Sequence, residues 1–395
     1  MKGTVFSMRQ RIKKIIAVIV TALLFGTAVF QSAASAPQGT AVPELGLDCV
    51  SAILMEAPTG TVLYEKNADE ALPPASVTKI MTLLLVMEAM ERGVLGLDTV
   101  LTTSTRASKM GGSQIYLKEG EQMRAEDLIK SVVIASANDA AVVLAEAVSG
   151  SEEAFVAEMN RRAAELGMKT AHFENTNGLD DTVTDHVLSA RDIAIMSREL
   201  IKHKKILEFS STWMDTVRDG AFGLTNTNRL IRFYRGATGL KTGSTSKAKF
   251  CMSATAERDG MSLIAVIMAA PTRDARNSAA AALLDWGFAN YSVYTYPAGD
   301  DAELAVTGGV INTLHAVHGD FTAVVKKGDE KKVAAMPSLP ESVAAPVKEG
   351  DVVGGIDFTL DGSSLGSIPI TAAHGVEKIS FGGLLGRMLR RFFLT

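Results

Sequence analysis

The chain has 395 residues, 47% of them hydrophobic and 21% charged, which is enough apolar material for a substantial core and for two domains. That composition excludes a disordered chain. With 40 basic and 44 acidic residues the net charge is only −4, so no broad positive field is offered to a phosphate backbone and nucleic acid is not expected as a partner.

The first residues carry a basic cluster (Lys2, Arg9, Arg11, Lys13, Lys14), then an apolar run from Ile15 to Phe30, then Ala34-Ser35-Ala36 in the small-x-small form of a cleavage site. A secretory signal over residues 1–36 is expected. The alternative is an uncleaved anchor, because the run approaches the roughly 20 residues that span a bilayer. An exported chain can form disulfides, yet Cys49 and Cys251 are the only cysteines, so no disulfide framework holds this fold. Neither has the spacing of a metal site, and no cofactor is expected.

Ser51–Ala57 and Thr61–Lys66, joined at Pro58-Thr-Gly60, predict a strand pair. After Pro73-Pro74, residues 76–92 lack Gly and Pro and place Ile80, Leu83, Leu84, Met87 and Met90 at helical intervals, so a long helix starts near Ser76 and closes at Gly93. Helical patterns continue through 125–148, 152–166 and 190–203. Residues 249–258 and 261–270 read as strands turning at Asp259-Gly260, and 276–290 resumes helical character. Strands, then helices, then strands predict an α+β domain with a sheet drawn from both ends of its chain.

Beyond Tyr291 the texture changes to short alternating stretches (302–306, 321–327, 352–360 and 367–371) between Gly, Pro, Asp and Ser, the pattern of a small all-β module. A boundary near 293 is expected. At the end of the chain, Phe381, Leu384, Leu385, Met388, Leu389 and Phe392 share one helical face, with Arg387, Arg390 and Arg391 opposite. A short basic amphipathic helix of this kind suits a membrane interface, apolar side down, or else docks on the protein's own core.

Three short motifs carry the chemistry: Ser76-Val-Thr-Lys79, Ser136-Ala-Asn138 and Lys241-Thr-Gly243. Three residues apart at a helix start, Ser76 and Lys79 share a face, so an amine can reach the hydroxyl. A lysine with its usual pKa of about 10.4 becomes a base only when burial and a second positive charge favour the neutral form, and Lys241 can supply that charge. Ser136 and Asn138 sit in an otherwise apolar stretch and need buried partners. Lys241-Thr-Gly243 precedes the apolar strand 250–255, with Gly239 and Gly243 allowing close approach. Each motif alone has a plainer reading. Ser76 could be an ordinary N-cap with Lys79 solvated, Ser136 and Asn138 could cap the next helix, and Lys241–Gly243 could be a turn before an edge strand.

In this order the motifs resemble the active site of penicillin-binding proteins and serine β-lactamases. The segments Pro74–Thr82, Ala135–Ala141, Asn175-Thr-Asn-Gly-Leu179 and Thr238–Thr245 are similar to the low-molecular-weight D-alanyl-D-alanine carboxypeptidases of peptidase family S11. The resemblance covers nearly the whole mature chain. It implies a β-lactamase/penicillin-binding-protein-like transpeptidase domain at 37–292, with helices around a mostly antiparallel sheet. A β-rich domain at 293–377 and a membrane-anchoring amphipathic helix at 378–395 would follow.

It further implies an enzyme on the outer face of the cytoplasmic membrane that removes the terminal D-alanine from peptidoglycan pentapeptides and is acylated by β-lactam antibiotics. Ser76 would be the nucleophile, Lys79 its base and Ser136 the relay to the departing D-alanine. Asn138 would hold the peptide carbonyl or orient Lys79, and Lys241 would set the positive field. The N–H groups of Ser76 and Ser244 would form the oxyanion hole beside Gly243. Thr242 and Arg276 would take the substrate carboxylate, with Arg273 close enough in sequence to be the alternative.

Ser244 stands where some relatives have histidine. A class A β-lactamase would need a glutamate to activate water. Glu174, ahead of Asn177, has unsuitable spacing for it, and the centre of Ser136-Ala-Asn138 is not aspartate. Endopeptidase action on cross-links would use the same nucleophile, and a non-catalytic wall-binding role would leave these residues idle.

Overall fold

The computed structural model describes residues 44–393 apart from Thr182, so the expected export signal lies outside the described residues. The two opening strands form as predicted: β1 (Ser51–Glu56) and β2 (Val62–Lys66) pair antiparallel. They join β3 (Ala237–Thr245), β4 (Lys249–Arg258) and β5 (Met261–Ala270) in one sheet of order β2-β1-β5-β4-β3, antiparallel throughout. The near-continuous apolar run of β5 is explained by its central place, with both faces covered. Leu263, Ala265 and Ile267 pack toward Leu283 and Leu284 of α6 (Arg273–Asn290), while Ile264, Val266 and Met268 face the main helical layer.

That helical layer is built on α1 (Lys79–Glu91), in which residues 79–87 are all buried. A helix apolar around its whole circumference belongs inside a domain, surrounded by others. Here the neighbours are α2 (Ala125–Ile134), α3 (Asn138–Ser149), α4 (Glu152–Glu165) and α5 (Ala190–Leu200). The start of α1 departs from the expected single helix: residues Ala75–Thr78 form a 3-10 turn, and the α-helix begins only at Lys79.

Two further expectations are corrected. The helical pattern over 125–148 is two helices, broken at Ala135-Ser136-Ala137, where Ser136 takes a left-handed φ of +63°. And Lys241-Thr-Gly243, ahead of strand 250–255 as expected, is itself not the turn of the plainer reading but part of the edge strand β3, where Gly243 is paired with Cys251 of β4. Both cysteines are buried and free.

From Tyr291 onward the chain forms β structure. β6 (Tyr291–Tyr296) pairs with β9 (Phe321–Lys326). A six-stranded sheet runs β10-β12-β13-β8-β7-β11, comprising β7 (Gly299–Thr307), β8 (Thr313–His318), β10 (Val333–Ser338), β11 (Ser342–Ala344), β12 (Val352–Leu360) and β13 (Ser363–Ala372). Its core is a separate cluster centred on Phe358, whose ring stacks on Phe321 at 3.8 Å. The chain closes with α7 (Phe381–Phe393). The apolar face of α7 is not packed into either domain: Phe381, Leu384, Leu385, Met388, Leu389 and Phe392 are all 44–84% exposed. Arg387 ties the helix down by donating to Asn312 Oδ1 at 2.6 Å and to the carbonyl of Val310 at 2.6 Å. Among the described residues no helix is long and apolar enough to cross a membrane.

Candidate active site

The turn at the head of α1 brings the first pair together. Lys79 Nζ lies 2.9 Å from Ser76 Oγ, and it donates to the carbonyl of Asn177 at 2.7 Å. Lys79 is fully buried, whereas Ser76 opens onto a cleft of about 610 Å³. The Asn177 carbonyl is delivered by a loop that the sequence motif Asn175-Thr-Asn-Gly178 builds. Asn175 Oδ1 accepts from the N–H groups of Asn177 and Gly178, and Thr82 Oγ1 donates to the Thr176 carbonyl at 2.6 Å. Gly178 has φ +81°, and a Cβ there would fall 1.9 Å from the Ala75 carbonyl oxygen, so the loop can press on the nucleophile turn only as glycine.

A buried histidine that sequence reasoning missed fastens the same turn from behind. The N–H of Glu174 donates to His186 Nδ1, leaving Nε2 to donate to Thr78 Oγ1 at 2.8 Å, and Thr78 Oγ1 donates to the Ala75 carbonyl. A lone histidine between loops carries no pattern of its own in the sequence.

The second pair comes from the helix break and the edge strand. Lys241 Nζ donates to Ser136 Oγ at 2.9 Å and to the Thr242 carbonyl at 2.9 Å. Asn138, at the start of α3, donates through Nδ2 to the Gly111 carbonyl, while its Oδ1 is buried with no partner among the described residues. The buried carboxylate of Asp139 accepts from the N–H groups of Ile115, Leu117 and Ala140, pinning the 111–117 loop over this segment. Neither the Asp139 role nor that loop was foreseen.

β3 lies directly against the nucleophile turn. A Cβ on Gly243 would sit 2.8 Å from the Ser76 nitrogen and 2.9 Å from both the Pro74 oxygen and the Val77 nitrogen. Thr242 and Ser244 flank this glycine and line the cleft. Thr242 Oγ1 donates to Thr227 Oγ1 at 2.8 Å. Arg276 also lines the cleft; it is 3% exposed, in the first turn of α6, and donates to Asn277 Oδ1. Of the nine residues singled out from the sequence, Ser76, Ser136, Thr242, Gly243, Ser244 and Arg276 line the cleft, Lys79 and Lys241 stand behind it on the hydroxyls of Ser76 and Ser136, and the Asn138 side chain is turned to the Gly111 carbonyl. Arg273, the alternative to Arg276, lines the cleft too, but from an exposed position.

Burial, then the charge of Lys241, push the Lys79 amine well below its ordinary value, against a smaller opposing pull from Asp139. Burial and Arg276 push Lys241 itself down to about 7. Lys241 thus supplies positive charge to Lys79 while holding its own proton less firmly than an ordinary lysine. Its proton is labile near neutrality, and the more permanent positive charge behind it is Arg276, itself lowered to about 10 chiefly by burial. The arrangement offers a neutral amine at one hydroxyl and an amine that readily gains or loses a proton at another. Such an assembly can deprotonate a serine and return a proton to a leaving group.

The family model for D-alanyl-D-alanine carboxypeptidases matches residues 37–272, and that for the C-terminal domain of penicillin-binding protein 5 matches residues 296–378. The chain belongs to the D-alanyl-D-alanine carboxypeptidase family. It is 39% identical to the D-alanyl-D-alanine carboxypeptidase DacF of Bacillus subtilis over 94% of this chain and 97% of that one. It is 34% identical to DacC of Escherichia coli, over 87% of each chain. Penicillin-binding protein 5 of Haemophilus influenzae superposes with a TM-score of 0.76 at 29% identity, covering 86% of this chain and all of that one. Penicillin-binding protein D2 of Listeria monocytogenes, solved in its ampicillin-bound form, matches 62% of this chain and all of its own, at 34% identity and a TM-score of 0.58.

Within this family frame Glu174 has no part in the cleft. Its Oε2 accepts from the N–H groups of Thr184 and Asp185, so the carboxylate is spent on its own loop and does not stand beside Ser76 as a water-activating base would.

His186 gives this architecture a pH signature. Burial, with a smaller contribution from His172 and against Glu174, lowers it from 6.5 to about 4. The folded state therefore binds fewer protons than the unfolded one between those values, so stability is full above pH 6.5 and falls as pH drops toward 4. The loss is expected to reach about 3 kcal/mol. Replacing His186 with Gln should flatten that part of the curve, measured by urea unfolding at several pH values; an unchanged slope would show that His186 titrates normally.

Proposed function

We propose that the protein is a serine D-alanyl-D-alanine carboxypeptidase that trims the terminal D-alanine from peptidoglycan pentapeptide stems on the outer face of the cytoplasmic membrane. The observation that carries the reading is the pair of contacts Lys79–Ser76 and Lys241–Ser136, each at 2.9 Å, opening on one cleft. A neutral Lys79 can donate one N–H to the Asn177 carbonyl and turn its lone pair to the Ser76 hydroxyl. Ser76 Oγ then attacks the carbonyl between the two D-alanines as its proton passes to Lys79. The oxyanion is received by the N–H groups of Ser76 and Ser244, on the two segments that Gly243 allows to touch.

Collapse of the tetrahedral intermediate breaks the C–N bond. The departing amine takes a proton through Ser136, whose partner Lys241 has the labile proton such a relay requires. Thr242 and the buried Arg276 hold the carboxylate of the leaving D-alanine. Of the two roles considered for Asn138, the unpartnered Oδ1 favours orientation: it is an acceptor, suited to an N–H of Lys79 or of the substrate amide and not to a carbonyl. Water then hydrolyses the ester and restores Ser76. A β-lactam presents a strained amide to the same hydroxyl and leaves an acyl-enzyme.

The exposed apolar face of α7 supports attachment at the membrane interface, with the exposed Arg390 available to anionic headgroups. The β domain would act as the spacer between bilayer and cleft. A fluorescent penicillin is expected to label the protein covalently, a peptide ending in D-Ala-D-Ala is expected to release D-alanine, and Ser76→Ala is expected to abolish both. Rapid penicillin turnover with no D-alanine release would instead mark a β-lactamase. Deleting residues 379–395 should move the protein from membrane to soluble fractions with peptide hydrolysis intact; persistence in the membrane fraction would remove α7 as the anchor.

A further inference from the structure

The lone pair of Lys79 is aimed by what its N–H groups hold. One of them goes to the Asn177 carbonyl at 2.7 Å, so the place of that carbonyl decides whether the amine faces Ser76 Oγ. Most bonds of the 175–179 loop are internal. Asn175 Oδ1 accepts from the N–H groups of Asn177 and Gly178, Asn175 Nδ2 donates to the Leu179 carbonyl, and Asn177 Oδ1 accepts from the Leu179 N–H. These bonds give the loop its shape and leave its position open. Position is set from outside, at Thr176. Its carbonyl accepts from Thr82 Oγ1, while its N–H and its Oγ1 both donate to one oxygen of Glu152, at 3.2 and 2.7 Å. All three polar groups of Thr176 are thereby committed, one residue ahead of the carbonyl that Lys79 uses.

Glu152 is the first residue of α4 and only 3% exposed, a setting in which a carboxylate is unfavourable unless its oxygens are paired. Its second oxygen accepts from Arg106 Nε at 2.6 Å, and the same guanidinium reaches Glu153 at 2.7 Å on the surface. Arg106 stands on the short helix Thr105–Ser108, which leads into the loop that holds Asn138. There the Gly111 carbonyl accepts from Asn138 Nδ2, and the Ser113 carbonyl accepts from the Asn138 N–H. The Arg106–Glu152 ion pair therefore joins the loop on Asn138 to the loop on Lys79. Burial, Lys241 and Asp139 govern the proton balance of Lys79, so what Glu152 supplies is placement.

We propose that Glu152, backed by Arg106, is a positioning residue for acylation: it holds Thr176 so that the Asn177 carbonyl turns the Lys79 lone pair onto Ser76. Glu152 does not line the cleft and acts only through the loop. The inference rests on the carboxypeptidase reading above and deepens its first step. An amine turned away from the hydroxyl takes the serine proton less readily, and small losses of alignment at reacting groups are expensive in rate. Substrate is held by other groups, Thr242 and Arg276 among them, so its binding is left intact.

The test uses the full-length enzyme and a fluorescent penicillin, with rapid mixing to separate the dissociation constant of the first complex from the limiting rate of acylation. In that step the Ser76 Oγ–C bond forms, the lactam C–N bond opens and the serine proton ends on the ring nitrogen. Glu152→Ala is expected to lower the limiting rate about tenfold, with the dissociation constant within about twofold and every molecule still labelled at the end. Glu152→Gln keeps an oxygen for Thr176 and is expected to recover most of that rate. Thr176→Val, which removes one of the two bonds to Glu152, and Arg106→Ala, at the exposed end of the ion pair, are each expected to lose about threefold. Glu153→Ala is expected to match wild type. A wild-type limiting rate in Glu152→Ala would overturn the inference; if that variant does not fold, wild-type rates in both Thr176→Val and Arg106→Ala would do so. A loss that appears in the dissociation constant or in the labelled fraction would also overturn it, because a merely structural role moves those. Wild-type enzyme that penicillin never labels and that releases no D-alanine would remove the carboxypeptidase reading, and the inference with it.

Discussion

A primary amine stripped of water, one helical turn from a serine hydroxyl, is the constraint around which this molecule is arranged. Taking an ammonium out of water without a counter-charge is so costly that the group gives up its proton instead. Lys79 has that environment: no exposure, a second amine nearby, and only a weak opposing pull from Asp139, whose oxygens are occupied by three backbone N–H groups. The amine keeps one good acceptor, the Asn177 carbonyl, which fixes its direction without restoring its charge. Position and protonation are thus set by the same burial.

The surrounding structure accepts local strain to maintain this. Ala75 and Ser136 both hold positive φ, at 50° and 63°, conformations that cost non-glycine residues of the order of 1 kcal/mol or more. Each strained residue stands at a junction. Ala75 turns the chain into the nucleophile helix, and Ser136 separates α2 from α3 so that its hydroxyl meets Lys241. The overdetermination that holds them is visible in the packing: Gly178 against the Ala75 carbonyl, Gly243 against the Ser76 nitrogen, and the Glu174–His186–Thr78 chain of hydrogen bonds behind the turn. Two buried amines with different neighbours then serve different ends, one facing the nucleophile and the other, near 7, facing the relay serine.

How far this was legible beforehand depended on what kind of signal each part carries. Periodicity located β1, β2, β4, β5 and most helices, because alternation and 3.6-residue spacing report directly on which faces are buried. The break at Ser136 was missed because no Gly or Pro marks it; the apolar pattern simply runs through, and the left-handed turn is imposed by tertiary contacts. β3 was not recognised as a strand because its glycines and Lys241 interrupt any apolar alternation. Strands such as Thr313–His318 and Val333–Ser338 lack bulky alternation and gave no clear pattern. Motif order pointed to Ser76, Lys79, Ser136 and Lys241, which the fold brings into two hydrogen-bonded pairs, but the Asn177 carbonyl is backbone chemistry, and the lowered Lys241 is a product of burial that no local sequence encodes.

The claim that Lys79 is neutral when it meets Ser76 is open to direct observation. Carbon-13 labelling of lysine side chains and NMR titration of the enzyme, with Lys79→Arg used to identify the resonance, reads the protonation of that amine itself. A midpoint well below the ordinary 10.5 is the predicted result. A Lys79 signal that titrates at the ordinary lysine value would contradict it, because a permanently charged amine cannot take the serine's proton.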